Sequence, residues 1–310
     1  MIISASRRTD IPTYYSKWFF KRLEEGYVLV RNPMNKHQVS RVSLDPSVVD
    51  GIVFWTKNPK PMMSKLDMLT DYAYYFQFTL NPYSNEIETN LPPKEKIIET
   101  FKELSETIGK EKVIWRYDPI LLNYEWTIDK HIKTFEKMCN ELSQYTEKAV
   151  ISFLDFYQRT ERNTNHLGLK RFRDEDMNTI AKEFSEIAHS ENLQIETCAE
   201  AIDLKKYGIN HSRCIDDRLF NRILGCTLDV DKDKNQRAEC GCVSSIDIGE
   251  YNTCKNGCLY CYANFNSQNV INNSSKHIWT SPLLIGEVEP DNKITDRKMY
   301  SLKNEQPELF

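Results

Sequence analysis

Short apolar runs typical of β-strands alternate with amphipathic stretches along residues 1–199, and this alternation constrains the fold more than any other feature. Alternating strands and helices predict parallel βαβ units. We therefore expect an α/β chain whose residues 1–225 form a full or partial βα TIM-like barrel. The strand-like runs are 1–6, 27–30, 51–56, 74–80, 112–117, 149–156 and 193–199, with an extra one at 37–44, and the helical stretches are 14–26, 93–109, 127–145 and 174–192.

The periodic pattern fades after residue 202. One short helix is predicted around DDRLFNRIL, and Thr127 is predicted to cap the third of the longer helices. We expect residues 226–310 to be a C-terminal, cysteine-rich, cluster-binding segment that packs on the barrel mouth.

Most strand-like runs end in polar residues and turn signals, as in SRRTDIP, FWTKNP and WRYDP. The carboxyl ends of parallel strands meet at one mouth of a barrel, where ligands bind, so these side chains should share a cavity. For any single residue, an ordinary turn is the alternative interpretation. The expected cavity residues are Arg7, Arg8, Asp10, Arg31, Lys57, Asn58, Asn81, Arg116, Asp118, Asp155, Cys198 and Glu200.

Eight of these residues are our candidates for catalytic and substrate contacts. The basic side chains suit carboxylate or phosphate groups, and the acidic ones could hold an ammonium or a hydroxyl group or transfer a proton. These candidates are Arg7, Arg8, Asp10, Lys57, Arg116, Asp118, Asp155 and Glu200.

Charge and composition disfavour several function classes. The net charge is −4, which gives no general attraction to nucleic acid. The ten glycines form neither a dinucleotide-binding fingerprint nor a P-loop. The N-terminus lacks a signal-peptide pattern, and no stretch approaches the roughly 18 apolar residues that span a bilayer. We expect a cytoplasmic protein without a membrane partner.

Nine cysteines are unusual for an intracellular chain, and eight of them lie between residues 198 and 261. In a reducing compartment this favours metal binding over disulfides. The segment CKNGCLYC places Cys254, Cys258 and Cys261 close together. Structural zinc takes four ligands, whereas three thiolates on a four-iron cube leave one iron open.

CKNGCLYC, with Tyr260 before its last cysteine, resembles the cluster motif of the radical S-adenosylmethionine superfamily. The resemblance implies a 4Fe-4S cluster on Cys254, Cys258 and Cys261, with S-adenosylmethionine bound at the open iron. It also implies hydrogen abstraction from a substrate and an electron donor such as flavodoxin or ferredoxin. Tyr260 and Asn58 are further candidates for cofactor binding.

Nearly the whole chain is similar to an uncharacterised family that carries SRRTDIP, FWTKNP, RYDP and QRAECGCVSSIDIGEYNTCKNGCLYCYANF, with a more distant similarity to spore photoproduct lyase. The cysteine motif normally follows the first barrel strand, but here it follows the last. The first and last strands of a closed barrel are neighbours, so the loop can still reach the mouth. We expect it to face a cavity lined by Arg7, Arg116 and Glu200.

The remaining cysteines need a separate interpretation. Cys198, Cys214, Cys240 and Cys242 could bind a second, closed 4Fe-4S cluster or zinc, or remain free thiols. Cys139 lies on the apolar side of a predicted helix and is expected in the core, and the role of Cys226 stays open.

Taken together, these patterns predict a radical S-adenosylmethionine enzyme acting on a small polar or anionic substrate. One alternative is an iron-sulfur or zinc protein whose metal serves electron transfer or structure. Another is a nucleic-acid repair protein similar to spore photoproduct lyase.

Overall fold

The computed structural model describes residues 1–304, and the last six residues of the predicted C-terminal segment, 305–310, lie outside the described part. The strands are β1 (Ile2–Ala5), β2 (Tyr27–Asn32), β3 (Asn35–Ser43), β4 (Gly51–Thr56), β5 (Tyr74–Thr79), β6 (Val113–Ile120), β7 (Lys148–Phe153), β8 (Gln194–Thr197), β9 (Asn210–His211), β10 (Ile246–Asp247) and β11 (Lys293–Asp296). The α-helices are α1 (Ile11–Tyr14), α2 (Ser16–Glu25), α3 (Lys60–Met63), α4 (Lys94–Ile108), α5 (Ile128–Leu142), α6 (Gln158–Thr164), α7 (Asp174–Ser190), α8 (Asp217–Leu224) and α9 (Ser267–Ser274). Short 3-10 turns cover Leu66–Leu69, Lys110–Lys112, Ser143–Tyr145, Asn165–Leu167 and Lys205–Tyr207.

An eight-stranded sheet forms the centre of the protein, in the order β10-β1-β4-β5-β6-β7-β8-β9. Every neighbouring pair in this sheet is parallel. The prediction of an α/β protein built on a parallel sheet is therefore confirmed. Within residues 1–304, the end strands β10 and β9 do not pair with each other, so the strands of this sheet do not close into a full barrel.

The interpretation of residues 27–30, and of the extra run 37–44, as strands of the barrel was wrong. The two runs correspond to β2 and β3, which pair antiparallel in a separate three-stranded sheet completed by β11. Only Pro33 and Met34 separate β2 from β3. A connection of two residues suits an antiparallel hairpin and is too short for a parallel crossover.

The predicted helices pack their apolar faces against the parallel sheet. Thr127 caps α5 by accepting a hydrogen bond from the Lys130 backbone N–H, as the sequence predicted. Phe135 of α5 stacks on Phe184 of α7, with their ring centroids 3.9 Å apart. Cys139 is fully buried in this same core, which confirms its predicted place.

The chain beyond residue 225 contributes to both sheets. Strand β10 pairs with β1, opposing Ile246 to Ile3, and β11 pairs with β3. The buried Trp18 indole of α2 donates to the carbonyls of Ser281 and Leu283. The pairing of β10 with β1 places the segment that follows β10 beside the carboxyl end of β1. In the described part of the chain, no helix is both long and apolar enough to cross a membrane.

Candidate functional site

A cavity of about 820 Å³ lies where the strands of the parallel sheet end. Its wall includes residues that follow β1, β4, β7 and β8, together with residues at the end of β6, as expected for ligands gathered at the carboxyl edge of a parallel sheet. The sequence-predicted residues that line it are Arg7, Arg8, Asp10, Arg31, Lys57, Arg116, Asp118, Asp155, Cys198, Glu200, Cys214, Cys240, Cys242, Cys254, Cys258, Tyr260 and Cys261.

Two of the predicted residues are absent from this described lining. Asn58 accepts a hydrogen bond from the Lys60 backbone N–H through Oδ1, so its side chain shapes the turn into α3. Asn81 bonds the backbone of Asp118 through both ends of its amide and also donates to the Tyr260 hydroxyl. Asn81 therefore positions two lining residues from behind.

Residues 254–261, here called the cysteine loop, are held against α1. Tyr14 donates its hydroxyl hydrogen to Asn256 Oδ1 at 2.9 Å, and Tyr15 donates to the Thr253 carbonyl at 2.6 Å. Asp10 Oδ2 accepts from Asn256 Nδ2 and from the Lys57 backbone N–H. The carboxylate predicted to be catalytic thus links the loop to the ends of β1 and β4.

Gly257 allows the loop to turn between its first two cysteines. Its φ of 69° lies in the left-handed region that favours glycine. A Cβ atom at this position would lie 2.0 Å from Thr89 Oγ1. The backbone beyond the turn forms a bridge between Cys258 and Glu88. The left-handed backbone conformation at this turn therefore explains the glycine in CKNGC.

The thiols of the cysteine loop are free and face the cavity. Burial raises the pKa of Cys258 to about 12, although the nearby Lys57 ammonium opposes the shift. Metal ligation requires thiolates, so a cation is needed to stabilise them. The three free cysteines of one loop therefore line the cavity together with charged side chains.

A buried charge network supports the last part of the loop. Glu88 is fully buried and accepts from Lys57 Nζ at 2.8 Å, from Lys94 Nζ and from the Tyr260 hydroxyl. Lys57 Nζ also donates to the Tyr260 hydroxyl at 2.9 Å. Burial opposes ionisation of Glu88, but the two ammonium groups hold its pKa below the ordinary value. Lys57 is thus fixed beside Cys258 with its charge balanced.

Arg116 lies on the other side of the cavity and is also paired. Its guanidinium donates to Asp118, to Gln77 Oε1 at 3.1 Å and to Cys214 Sγ at 2.9 Å. Asp118 additionally accepts from the Ser152 hydroxyl. The acidic partner holds Arg116 against a sulfur atom rather than leaving it free for an anion.

Arg7 has the most available cationic side chain of the predicted set. Its Nη2 is buried and has no hydrogen-bond partner within residues 1–304, and its Nη1 lies 4.0 Å from the Asp233 carboxylate. The Trp55 ring centre lies 5.5 Å from the Arg7 guanidinium carbon and 5.4 Å from that of Arg116. An anionic group in the cavity would find an unsatisfied donor at Arg7.

Other predicted side chains are already occupied. Arg8 donates to the Gly249 carbonyl, and Arg31 donates to the carbonyls of Ile285 and Glu287. Both arginines thereby tie the cavity wall to the C-terminal segment.

Two predicted acids have different environments at the cavity. Burial raises the pKa of Glu200 to about 7, and its Oε1 accepts from the Phe153 backbone N–H at 2.8 Å. Asp155 is half exposed at the rim and pairs with Arg237. Glu200 is therefore the acid suited to exchanging a proton near neutral pH.

The cysteines predicted as a second set also come together, and we call Cys198, Cys214, Cys240 and Cys242 the four-cysteine group. The sulfur atoms of Cys198 and Cys214 are 3.2 Å apart. Cys242 is in side-chain hydrogen-bond contact with both Cys214 and Cys240. Among residues 1–304, however, no three or more His, Cys, Asp or Glu side chains are arranged around a single metal ion. Cys226 does not belong to the described lining of the cavity.

Sequence reasoning missed two residues that organise the site. Asp247 of β10 accepts from the hydroxyls of Ser4 and Ser6 and from the Arg7 backbone N–H. Glu88 carries the charge network described above. Neither follows a strand-like run that ends in turn residues, so the strand-end signal could not find them.

Comparisons with known proteins give a family but no function. A family model described as a domain of unknown function (DUF1848) matches residues 2–263. A search of curated proteins finds no match.

Proposed function

This chain belongs to the family described as a domain of unknown function (DUF1848), and because that description names no activity, we propose from the site that the protein is a radical S-adenosylmethionine enzyme. One observation carries the proposal. The reduced thiols of Cys254, Cys258 and Cys261 line the same cavity as basic and acidic side chains from the ends of the parallel strands.

In this proposal the cysteine loop holds a 4Fe-4S cluster through its three thiolates. The open iron would take S-adenosylmethionine, as the resemblance to the superfamily implies. When bound, the reduced cluster supplies the electron that cleaves S-adenosylmethionine, and this cleavage supplies the radical that removes hydrogen from the substrate. The electron itself would come from a donor such as flavodoxin or ferredoxin.

Lys57 prepares the loop for this role. Its ammonium group favours the thiolate form of Cys258, the form that binds iron. Glu88 and Tyr260 fix the position of that ammonium group, so the favourable charge stays beside the loop. The same buried network holds Tyr260, a predicted cofactor contact, at the cavity wall.

We propose a small polar or anionic substrate. A cavity of about 820 Å³ has the size usual for small-molecule sites. Arg7 offers an unsatisfied guanidinium donor, and such donors bind carboxylate or phosphate. Glu200, with a pKa of about 7, can hold or accept a proton at the substrate.

The proposal includes a sheet curved into a partial βα barrel. Residues from the ends of β1, β4, β6, β7 and β8 reach one cavity, which supports a curved arrangement. A curved sheet also brings β10, and with it the cysteine loop, to the same mouth as the ends of the later strands.

The test is cleavage of S-adenosylmethionine by anaerobically reconstituted, chemically reduced protein, followed as 5′-deoxyadenosine and methionine. We expect product from the wild type and only background from Cys258→Ala. Cys226→Ala is the matched control, and we expect it to retain activity because this cysteine lies outside the described cavity lining. Equal product formation by Cys258→Ala and the wild type would overturn the proposal.

A further inference from the structure

Two thiols of the four-cysteine group lie in direct contact at the cavity wall. Cys198 Sγ and Cys214 Sγ are 3.2 Å apart, and both cysteines are free and line the cavity. The two sulfurs are closer than two thiolate ligands of one zinc ion, which stay about 3.8 Å apart. The ligands of a four-iron cube lie farther apart still. The contact therefore needs an explanation other than metal ligation, and nothing in the proposed function uses it.

The backbone of two neighbouring strands fixes both members of this pair. Cys198 follows β8 and donates its backbone N–H to the Ile151 carbonyl of β7 at 2.9 Å. Cys214 follows β9, and its carbonyl accepts from the Tyr75 hydroxyl and from Gln77 Nε2, each at 2.8 Å. The contact between the sulfurs is thus set by two anchored strand ends and not by a loose connection.

Ordinary apolar packing is the simplest alternative, because cysteine behaves as a small hydrophobic residue. Cys214 does belong to a buried apolar cluster with Phe220 and Val243. Apolar packing does not explain why the buried Arg116 guanidinium donates to Cys214 Sγ at 2.9 Å and is also in hydrogen-bond contact with the Cys198 side chain. A cation beside a thiol favours the thiolate, which is the form that attacks a disulfide.

We propose that Cys198 and Cys214 are a redox-active pair that exchanges with a low-molecular-weight disulfide entering the cavity. The cavity volume of about 820 Å³ suits a molecule of this size. Closing the protein disulfide requires the two sulfurs to approach by about 1.2 Å, because an S–S bond is about 2.05 Å long. This activity is separate from the proposed radical chemistry and does not rest on it.

The exchange takes place in two steps. Cys198, the more exposed of the two, attacks one sulfur of the small disulfide as a thiolate, so the small S–S bond breaks and a first small thiolate leaves. Cys214 then attacks the Cys198 sulfur of the mixed disulfide, which forms the protein disulfide and releases a second small thiolate. The protons of the two protein thiols pass to the two leaving thiolates. The pair is oxidised by two electrons, the small disulfide is reduced by two, and excess small thiol reverses both steps.

Both thiols of the pair are protonated in the resting protein at neutral pH. Contact with Cys214 and burial raise the pKa of Cys198 well above its ordinary value. Contact with Cys198 lowers the pKa of Cys214, but contact with Cys242 and burial raise it more, to about 11. The Arg116 guanidinium opposes both increases in pKa, so it stabilises whichever thiolate forms during the exchange.

The pair is tested in a loop variant (Cys254→Ala, Cys258→Ala and Cys261→Ala), which has no thiols in the cysteine loop. The reduced protein is mixed anaerobically with oxidised glutathione, and its cysteines are mapped by mass spectrometry. We expect a disulfide between Cys198 and Cys214, with about two molecules of glutathione released for each one formed. Excess reduced glutathione should restore both thiols. The same mapping on the wild type decides the question if circular dichroism shows that the loop variant does not fold.

Two further substitutions in the loop variant separate the roles of the thiols. Cys214→Ala removes the second nucleophile, so we expect glutathione to stay bound to Cys198. Cys240→Ala is the matched control, because contact with Cys242 lowers the pKa of Cys240 to about 7 and makes it the rival first nucleophile. We expect the Cys240→Ala protein to form the disulfide between Cys198 and Cys214 as before.

Several results would overturn the proposal. These are a folded protein in which Cys198 and Cys214 both stay free, glutathione that remains on Cys198 although Cys214 is present, and a disulfide that forms only between Cys240 and Cys242. Loss of the expected disulfide in a folded Cys240→Ala protein would contradict the assignment to Cys198 and Cys214 alone. These measurements do not involve S-adenosylmethionine, so the proposed function stands or fails separately.

Discussion

The two cysteine sets of the cavity are built in opposite ways. The cysteine loop carries its three thiols within eight consecutive residues. Tyr14 of α1 donates to the Asn256 side chain inside the loop, and Tyr15 donates to the Thr253 carbonyl just before it. The four-cysteine group takes its thiols from three separate connections, after β8, after β9 and before β10. A compact loop can define a site by local geometry, whereas a dispersed group exists only once the whole sheet has formed.

The two sets also differ in the cation beside the sulfurs. At the loop, the charge near Cys258 belongs to Lys57, which is held by the fully buried Glu88. At the group, Arg116 donates directly to Cys214 and is held by Asp118, whose side chain is 21% exposed. The buried carboxylate should matter more for stability than the partly exposed one.

Glu88→Gln is expected to have the largest effect on stability. It leaves Lys57 and Lys94 without their buried counter-charge, which should lower the free energy of unfolding by about 3–5 kcal/mol. Urea denaturation measures this loss. Asp118→Asn, on the other wall, should cost less, because Asp118 is partly exposed and Arg116 keeps its hydrogen bond to Gln77.

The exposed pair of Glu103 with Lys60 provides the baseline for this comparison. Glu103→Gln should change stability by less than about 1 kcal/mol, the usual range for a surface pair. Equal losses in Glu88→Gln and Glu103→Gln would show that the buried network does not support the loop.

The stability losses in Glu88→Gln and Asp118→Asn have to be compared at the same pH, because the stability of the fold that carries both residues depends on pH. His131 is fully buried between the Tyr117 hydroxyl and the Leu121 carbonyl, and burial lowers its pKa from 6.5 to about 4. The unfolded chain therefore binds more protons in this range. The contribution of His131 to stability is fully present above pH 6.5 and is lost as the pH falls toward 4, by up to about 3 kcal/mol. The raised pKa of Glu200 acts in the opposite direction, because its contribution is lost as the pH rises toward 7.

Urea denaturation between pH 4 and 7 checks this dependence. His131→Gln should remove the loss of stability that His131 causes on acidification, while the exposed His189→Gln should leave the profile as in the wild type. A His131→Gln protein with the same acid sensitivity as the wild type would contradict the assignment.

Alanine substitutions at the glycines of the two cysteine sets should have smaller effects on stability, and these effects should differ between the sets. Gly257→Ala forces alanine into positive φ and against Thr89, which should cost about 1–3 kcal/mol. Gly241 lies between Cys240 and Cys242 without positive φ, and its added Cβ would lie 3.0 Å from Arg213 Cγ and 3.1 Å from the Ser212 carbonyl oxygen, contacts that a shift of a few tenths of an ångström relieves. We expect Gly241→Ala to cost less than about 1 kcal/mol in thermal or urea unfolding.

Gly208→Ala separates the backbone effect from the contact effect. Gly208 also has positive φ, but a Cβ there meets nothing within 4 Å. The loss of stability in Gly208→Ala should lie between the losses in Gly257→Ala and Gly241→Ala. A Gly257→Ala protein as stable as Gly241→Ala would show that the loop adapts easily and is not rigidly held.

Local patterns in the sequence predict much of this fold. Strand-like runs and helical spacing identify the parallel sheet, and Thr127 marks a helix start correctly. Pairing direction is harder to predict, because a run such as 27–30 has the same apolar composition in a hairpin as in a parallel sheet. Here the two-residue connection between β2 and β3 is what requires antiparallel pairing.

The candidate site is also predictable only where its residues belong to local sequence patterns. The cysteine loop and the strand-end residues carry local signals, and the structure brings them together at one cavity. Glu88 and Asp247 carry no such signal, since their importance comes from contacts with residues distant in the sequence. Residues that support a site from behind depend on tertiary packing and appear only with the structure.

The central claim is that the cysteine loop binds a cluster with an open iron. It is tested most directly by electron paramagnetic resonance of the reduced protein before and after S-adenosylmethionine is added. In the variant that lacks the four-cysteine group, we predict that the spectrum changes on addition. In the loop variant (Cys254→Ala, Cys258→Ala and Cys261→Ala) we predict that addition of S-adenosylmethionine leaves the spectrum unchanged. A spectrum that responds in neither variant, or only in the loop variant, would contradict the account.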